Sequence, residues 1–170
     1  MAKYLIVIDM QNDFVTGPLG TPEAVAIVNK IKNKIIKEYP VRSFVFFTRD
    51  THYSNYFDSQ EGKKLPKHCI NETPGWCIVD ELNKFSESRI INKTTFGTLN
   101  WTDRFLFQDC YTIEIVGVCT DICVISNALI LKTIFPETKI IVDSSCCAGT
   151  TPELHQKALD VMRSCQIEVI

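Results

Sequence analysis

Histidine is scarce in this chain: there are three in 170 residues, His52, His68 and His155. Any chemistry that needs imidazole must draw on these. Excess positive charge is also missing, since 18 Lys and Arg against 20 Asp and Glu give a formal net charge of −2. A nucleic-acid footprint normally shows as a basic excess or stripe, so no nucleic-acid partner is expected. No apolar run reaches the roughly 20 residues that span a bilayer, so no membrane partner is expected either. The opening MAKYLIVIDMQ is too short an apolar stretch for a signal peptide and meets an acid at Asp9. Repeats, low-complexity segments and linker-like stretches are absent, and residues 1–170 are expected to form one domain.

Cysteine, by contrast, is plentiful, with eight residues. A chain of this length can bury a core without staples. The thiols are therefore read as reduced, and the setting as cytoplasmic.

Apolar patterning alternates strand with helix. Strands are expected over residues 3–8, 43–48, 89–92, 112–118, 139–142 and 167–170. A helix is expected over 22–38, where Val25, Val28, Ile31 and Ile35 share helical spacing and Pro22 suits the first turn. Further helices are expected over 121–135 and 152–163, and a long loop over 49–75. This alternation implies an α/β, three-layer doubly wound fold with a mainly parallel six-stranded sheet and helices on both faces. Such sheets bind ligands beyond the carboxyl ends of their strands. At that edge stand Asp9, Asp50 with His52, Lys93, then Cys119, Thr120, Asp121 and Cys123, and finally Asp143.

Each of these residues has a plain and a chemical reading. Cys123, at the start of a helix after an apolar strand, is either a packed thiol or a nucleophile whose pKa is lowered by the helix N-terminus. Cys119 and Cys123 form CxxxC, a poor spacing for redox chemistry of the CxxC type. Cys69, Cys77, Cys110, Cys146, Cys147 and Cys165 are read as packing. Asp9 is either a turn residue or a partly desolvated general base. Lys93 is either a solvated lysine or a cation beside that acid and a thiol. Asp50 and His52 alternate onto one side of an extended segment, and Glu61 and His68 lie on the same loop. Two imidazoles and two carboxylates suit Zn²⁺, Fe²⁺ or Mn²⁺. His155 is read as a surface residue.

Together these segments resemble the isochorismatase-like cysteine hydrolase family, most closely its nicotinamidase branch. DMQNDF (9–14), RDTH (49–52), KHCINETPGW (67–76), NKTTFG (92–97), GVCTDICV (117–124) and VDSSCCAGTTPELHQKAL (142–159) carry the likeness over essentially the whole chain. The resemblance implies a triad of Asp9, Lys93 and Cys123, and an oxyanion hole from the backbone N–H groups of Cys119 and Cys123. It also implies a cis peptide at Val118–Cys119. One divalent metal, zinc first with iron or manganese as alternatives, would be held by Asp50, His52, Glu61 and His68. It implies hydrolysis of a small amide, nicotinamide to nicotinate and ammonia, through a cysteine thioester, in a homo-oligomer. Phe14, Leu65 and Trp76 would contact the substrate. Leu65 stands where the family usually has an aromatic, so either half of the aromatic pair is missing or Trp76 or Tyr56 replaces it. The competing readings are a metal-independent amidase of the same family, a non-catalytic small-ligand domain and a Cys119–Cys123 redox module.

Overall fold

Strand-forming and amphipathic segments alternate along a computed structural model that describes residues 2–41, 44–86, 89–101 and 110–170. The strands are β1 (Ala2–Ile8), β2 (Val45–Asp50), β3 (Ile90–Lys93), β4 (Cys110–Val118), β5 (Lys139–Ala148) and β6 (Glu168–Val169). The helices are α1 (Asn12–Val15), α2 (Pro22–Glu38), α3 (Asp80–Asn83), α4 (Ile125–Ile134) and α5 (Pro152–Ser164). All six strands join one sheet in the order β3-β2-β1-β4-β5-β6, with every pairing parallel. The chain winds outward from β1 to β3, then returns to place β4 against the other side of β1. The switch point therefore lies between β1 and β4, where an open parallel sheet leaves a crevice.

Side-chain alternation along β1 builds both outer layers. Leu5 and Val7 pack with Ile27, Ile31 and Ile35 of α2 on one face. Ile6 and Ile8 pack with Ala128 and Leu131 of α4 and Leu159 and Met162 of α5 on the other. Burying each such side chain contributes about 1.5–3 kcal/mol. Helix α2 begins with the Thr21 hydroxyl accepting from Ala24 N at 3.1 Å, and Pro22 follows in the first turn. Its buried stripe is Ala24, Ile27, Val28, Ile31 and Ile35, while Val25 is 50% exposed. The expected position at Val25 is thus corrected: the stripe turns through Ala24 and Ile27 instead.

Several boundaries differ from expectation, and in the strands pairing overrides local pattern. Strand β2 continues to Asp50, since Asp50 pairs with Lys93 of β3; the expected start at Ser43 lies outside the described residues. Strand β5 continues to Ala148, which pairs with Val118 after a register shift. The helix expected from 121 opens instead as a π turn, Thr120–Val124, before α4. Among the described residues no helix is long and apolar enough to cross a membrane.

One charged network is buried under α2. Glu114, 0% exposed in the middle of β4, meets Lys3 Nζ at 2.6 Å and Lys34 Nζ at 2.7 Å, and accepts from the Tyr39 hydroxyl. Lys34 also reaches Asp143 at 2.9 Å. Burial alone would raise the Glu114 pKa, but Lys3, Lys34 and Tyr39 outweigh it and hold it below 4.5. A carboxyl lowered in the folded state contributes stability above its unfolded pKa and loses it as pH falls through the folded one. Lys34→Met removes one of the two lysines that meet this carboxylate, leaving Lys3 and Tyr39, and should cost about 2 kcal/mol at neutral pH, read by urea unfolding. The deficit should shrink below pH 4.5, where the wild type loses the same contribution. An equal deficit at every pH would contradict this assignment.

Candidate active site

The crevice at the switch point gathers Asp9, Asp50, His52, Lys93, Cys119 and Cys123, whereas Asp143, expected at the same edge, is corrected: β5 continues past it, and it pairs with Lys34 under α2. Gly117 sits at φ +120, and a Cβ at this position would strike the backbone of Ile8, so only glycine lets β4 close against the end of β1. The next peptide, Val118–Cys119, is cis. The chain then enters the π turn. There the Cys119 carbonyl accepts from the amides of Ile122 and Val124, both at 3.1 Å, on either side of Cys123. Asn127, one turn on, donates to the Cys123 carbonyl at 2.7 Å and to the Phe96 carbonyl at 3.1 Å. It thereby ties the cysteine turn to the loop after β3.

Lys93 is the hub. Its Nζ lies 2.7 Å from Asp9 Oδ2, 3.5 Å from Cys123 Sγ and 3.4 Å from Asp50 Oδ1. Asp9, Lys93 and Cys123 are 0%, 3% and 5% exposed, so these charges act with little screening by water. Burial raises the Asp9 pKa above 3.8; Lys93 opposes the shift and Asp50 adds to it. Burial would lower the Lys93 pKa, yet Asp9, Cys123 and Asp50 raise it, so the ammonium stays charged. Burial pushes the Cys123 thiol well above its usual value, with Lys93 opposing and Asp9 adding. The expected lowering by a helix N-terminus is therefore overridden. A thiol held neutral here needs a base at the moment it reacts.

The second cluster adjoins the first through Asp50. Asp50 Oδ2 lies 2.8 Å from His52 Nε2 and 3.5 Å from His68 Nε2, and Glu61 lies 3.5 Å from His68 Nε2 and 3.8 Å from His52 Nε2. One donor atom from each of Asp50, His52, Glu61 and His68 falls within 4.8 Å of all the others. Both imidazole Nε2 atoms are buried without an aligned hydrogen-bond partner. His68 Nδ1 is held by the Pro66 carbonyl at 2.9 Å, with the Tyr56 hydroxyl at 3.1 Å, so the outer nitrogen is occupied and Nε2 faces the carboxylates. Burial opposes a charge on His68, but Asp50 and Glu61 outweigh it and push its pKa up to about 10. The cluster therefore demands positive charge. Two imidazole nitrogens and two carboxylates converging with orphaned lone pairs fit a divalent metal.

Gln11 braces this cluster. Its side chain accepts from Asp50 N at 2.7 Å and donates to the carbonyls of Asp50 and Trp76, both at 2.9 Å. Asp13 accepts from Cys69 N at 2.7 Å, beside His68.

A cavity of about 290 Å³ opens above both clusters, walled by Phe14, Leu19, Gly20, Thr21, Leu65, Phe96, Cys119, Ile122 and Thr150, with Asp50, Glu61 and Cys123 at its polar end. Phe14 and Leu65, the expected substrate contacts, both line this cavity. Trp76 does not line this cavity: its ring stacks on the Arg49 guanidinium at 3.5 Å and its Nε1 donates to Thr51 at 2.9 Å. Tyr56 is engaged with His68. The second aromatic wall is Phe96, which sequence reasoning missed although it lies three residues after Lys93 in NKTTFG. His155 is corrected from surface to half-buried; its Nδ1 lies 2.8 Å from Thr120 Oγ1, and burial lowers its pKa. Cys77 and Cys165 are exposed rather than packed, Cys69, Cys146 and Cys147 are buried, and the Cys110 side chain lies outside the described residues.

The isochorismatase domain model matches residues 3–170. A nicotinamidase of Saccharomyces cerevisiae is 25% identical over 99% of this chain and 99% of its own length. Among solved structures, a pyrazinamidase of Pyrococcus horikoshii in complex with zinc is 28% identical, with a TM-score of 0.84 over 99% of this chain and 98% of that one. A pyrazinamidase/nicotinamidase of Streptococcus mutans is 28% identical, with a TM-score of 0.86 over 99% of this chain and 100% of that one.

Proposed function

The chain belongs to the isochorismatase family, and from that premise we propose that it hydrolyses nicotinamide to nicotinate and ammonia through a thioester on Cys123. The observation that carries the reading is the contact of one buried ammonium, Lys93, with both Asp9 at 2.7 Å and the Cys123 sulfur at 3.5 Å, beneath a cavity with two aromatic walls. Its relatives named as nicotinamidases support the substrate.

In the first half-reaction Asp9 takes the thiol proton as the sulfur electron pair forms a bond to the carboxamide carbon. The carbonyl π pair moves onto oxygen, where the backbone N–H groups of Cys119 and Cys123 receive the charge. As that pair returns, the C–N bond breaks and Asp9 delivers its proton to the departing nitrogen, releasing ammonia. In the second half-reaction Asp9 takes a proton from water, whose oxygen attacks the thioester. The C–S bond then breaks, and the proton returns to sulfur. Lys93 stays charged throughout and lowers the energy of each state in which Asp9 or Cys123 is anionic. Phe14 and Phe96 bound the ring of the substrate.

Asp50, His52, Glu61 and His68 would hold a divalent ion, zinc first with iron or manganese as alternatives. When bound, it supplies a Lewis-acid anchor for the pyridine nitrogen and so orients the ring. His52→Ala should lower bound metal at least tenfold, as losing ligand support typically does, measured by elemental analysis of folded protein. Metal content equal to wild type would remove this site. Chelation should raise KM for nicotinamide more than it lowers kcat, because an anchor acts on binding. A loss confined to kcat would contradict the anchoring role. Ammonia release assayed across a panel of small amides, with and without chelator, tests the substrate directly. Preference for a non-aromatic amide, unaffected by chelator, would overturn it.

A further inference from the structure

We infer that Thr48 is a positioning residue that dedicates one oxygen of Asp9 to structure and leaves the other to carry the proton. The inference rests on the reading of Asp9 as the base.

Thr48 lies near the end of β2, which pairs in parallel with β1 through Ile6–Phe46 and Val7–Phe47. This register sets Thr48 beside the point where β1 ends and Asp9 follows. Thr48 and Asp9 are both 0% exposed, so water cannot substitute for either partner. The Asp9 amide donates to Thr48 Oγ1 at 3.1 Å, and Thr48 Oγ1 donates to Asp9 Oδ1 at 2.6 Å. A hydroxyl has one proton and two lone pairs. With one lone pair taken by the amide, its proton is aimed at Oδ1. The two bonds close a ring that fixes the backbone and side chain of Asp9 together.

That ring is needed because Asp9 sits at φ +48, a left-handed conformation uncommon for a residue with a side chain. It also divides the carboxylate. Oδ1 is occupied by a neutral donor that can stay in place whether or not Asp9 is protonated. Oδ2 lies 2.7 Å from Lys93 Nζ, yet it has no aligned hydrogen-bond donor, so one of its lone pairs is open. The S–H bond of Cys123 breaks as an O–H bond forms on Oδ2. The same proton later passes from Oδ2 to the leaving nitrogen. Thr48 exchanges no proton; it prevents rotation of the carboxylate between these transfers.

Thr48→Val keeps the branched shape that suits a buried strand and deletes the hydroxyl. It should lower kcat about tenfold or more, the scale of one lost hydrogen bond to a charged group, with KM within about twofold. Thr48→Ser restores the donor and should recover kcat to within about threefold of wild type, although it loses a buried methyl. Thermal unfolding of each variant separates the roles, because a purely structural Thr48 would lower Tm in both and leave Ser no better than Val in kcat. Wild-type kcat in folded Thr48→Val, or equal losses in Val and Ser, overturns the inference. Should Thr48→Val fail to fold, Thr48→Ala against Thr48→Ser carries the same expectation. The assay uses the amide that the wild type turns over fastest. A wild type inactive on nicotinamide but active on another amide refutes the substrate and leaves this test standing.

Discussion

Replacing Cys123 with alanine lowers kcat for amide hydrolysis by at least about 1,000-fold, with thermal stability near that of wild type. The sulfur of Cys123, which lines the cavity, touches Lys93 at 3.5 Å and is placed to attack a carboxamide there. Its removal leaves Asp9 with no S–H to activate. Cys123→Ser should be nearly as inactive. A hydroxyl is a far weaker acid than a thiol, and the burial that already pushes the thiol pKa up would hold a hydroxyl more firmly protonated. Retention of wild-type turnover in either folded variant would reject the nucleophile.

Asp9→Asn should lower kcat by about 100- to 10,000-fold, the range of a lost general acid–base group. Asparagine preserves the shape and can still meet Thr48, but it cannot accept a proton from a thiol held neutral by burial. The pH profile carries the same assignment. Asp9 works as a base only when ionised, and burial raises its pKa above 3.8, so activity should fall as pH drops through a value above the ordinary aspartate range. The residual activity of Asp9→Asn should lack that acidic limb. An unchanged limb would assign it to another group.

Much of this site is legible in the sequence because strand ends are legible. An apolar run that stops at an acid, as LIVID does at Asp9, marks both a buried strand and the residue left at its carboxyl end. Lys93 and Cys123 are found in the same way. The candidate metal-binding cluster is readable because two of only three histidines share a loop with Asp50 and Glu61.

What escaped reading depends on contacts between distant segments. Trp76 was expected at the substrate but stacks on Arg49, a pairing that no spacing rule reveals. Phe96 lines the cavity, and its carbonyl is held by Asn127, 31 residues later. The extension of β5 to Ala148 follows from a register shift opposite Gly117. The Cys123 pKa could not be read from helix position, because it is set by burial, by Lys93 opposing it and by Asp9 and Asp50 adding to it, all from distant segments. His155, with polar sequence neighbours, looks exposed until α5 lays it against Thr120.

The covalent thioester is the central claim, and hydroxylamine trapping tests it most directly. Wild-type protein mixed with nicotinamide and hydroxylamine should yield the hydroxamate of nicotinic acid alongside nicotinate. Acid-quenched samples should carry one pyridine-3-carbonyl group on the peptide containing Cys123, and Cys123→Ala should give neither. Ammonia release without acylated Cys123 or hydroxamate, continuing at wild-type rate in Cys123→Ala, would contradict the account.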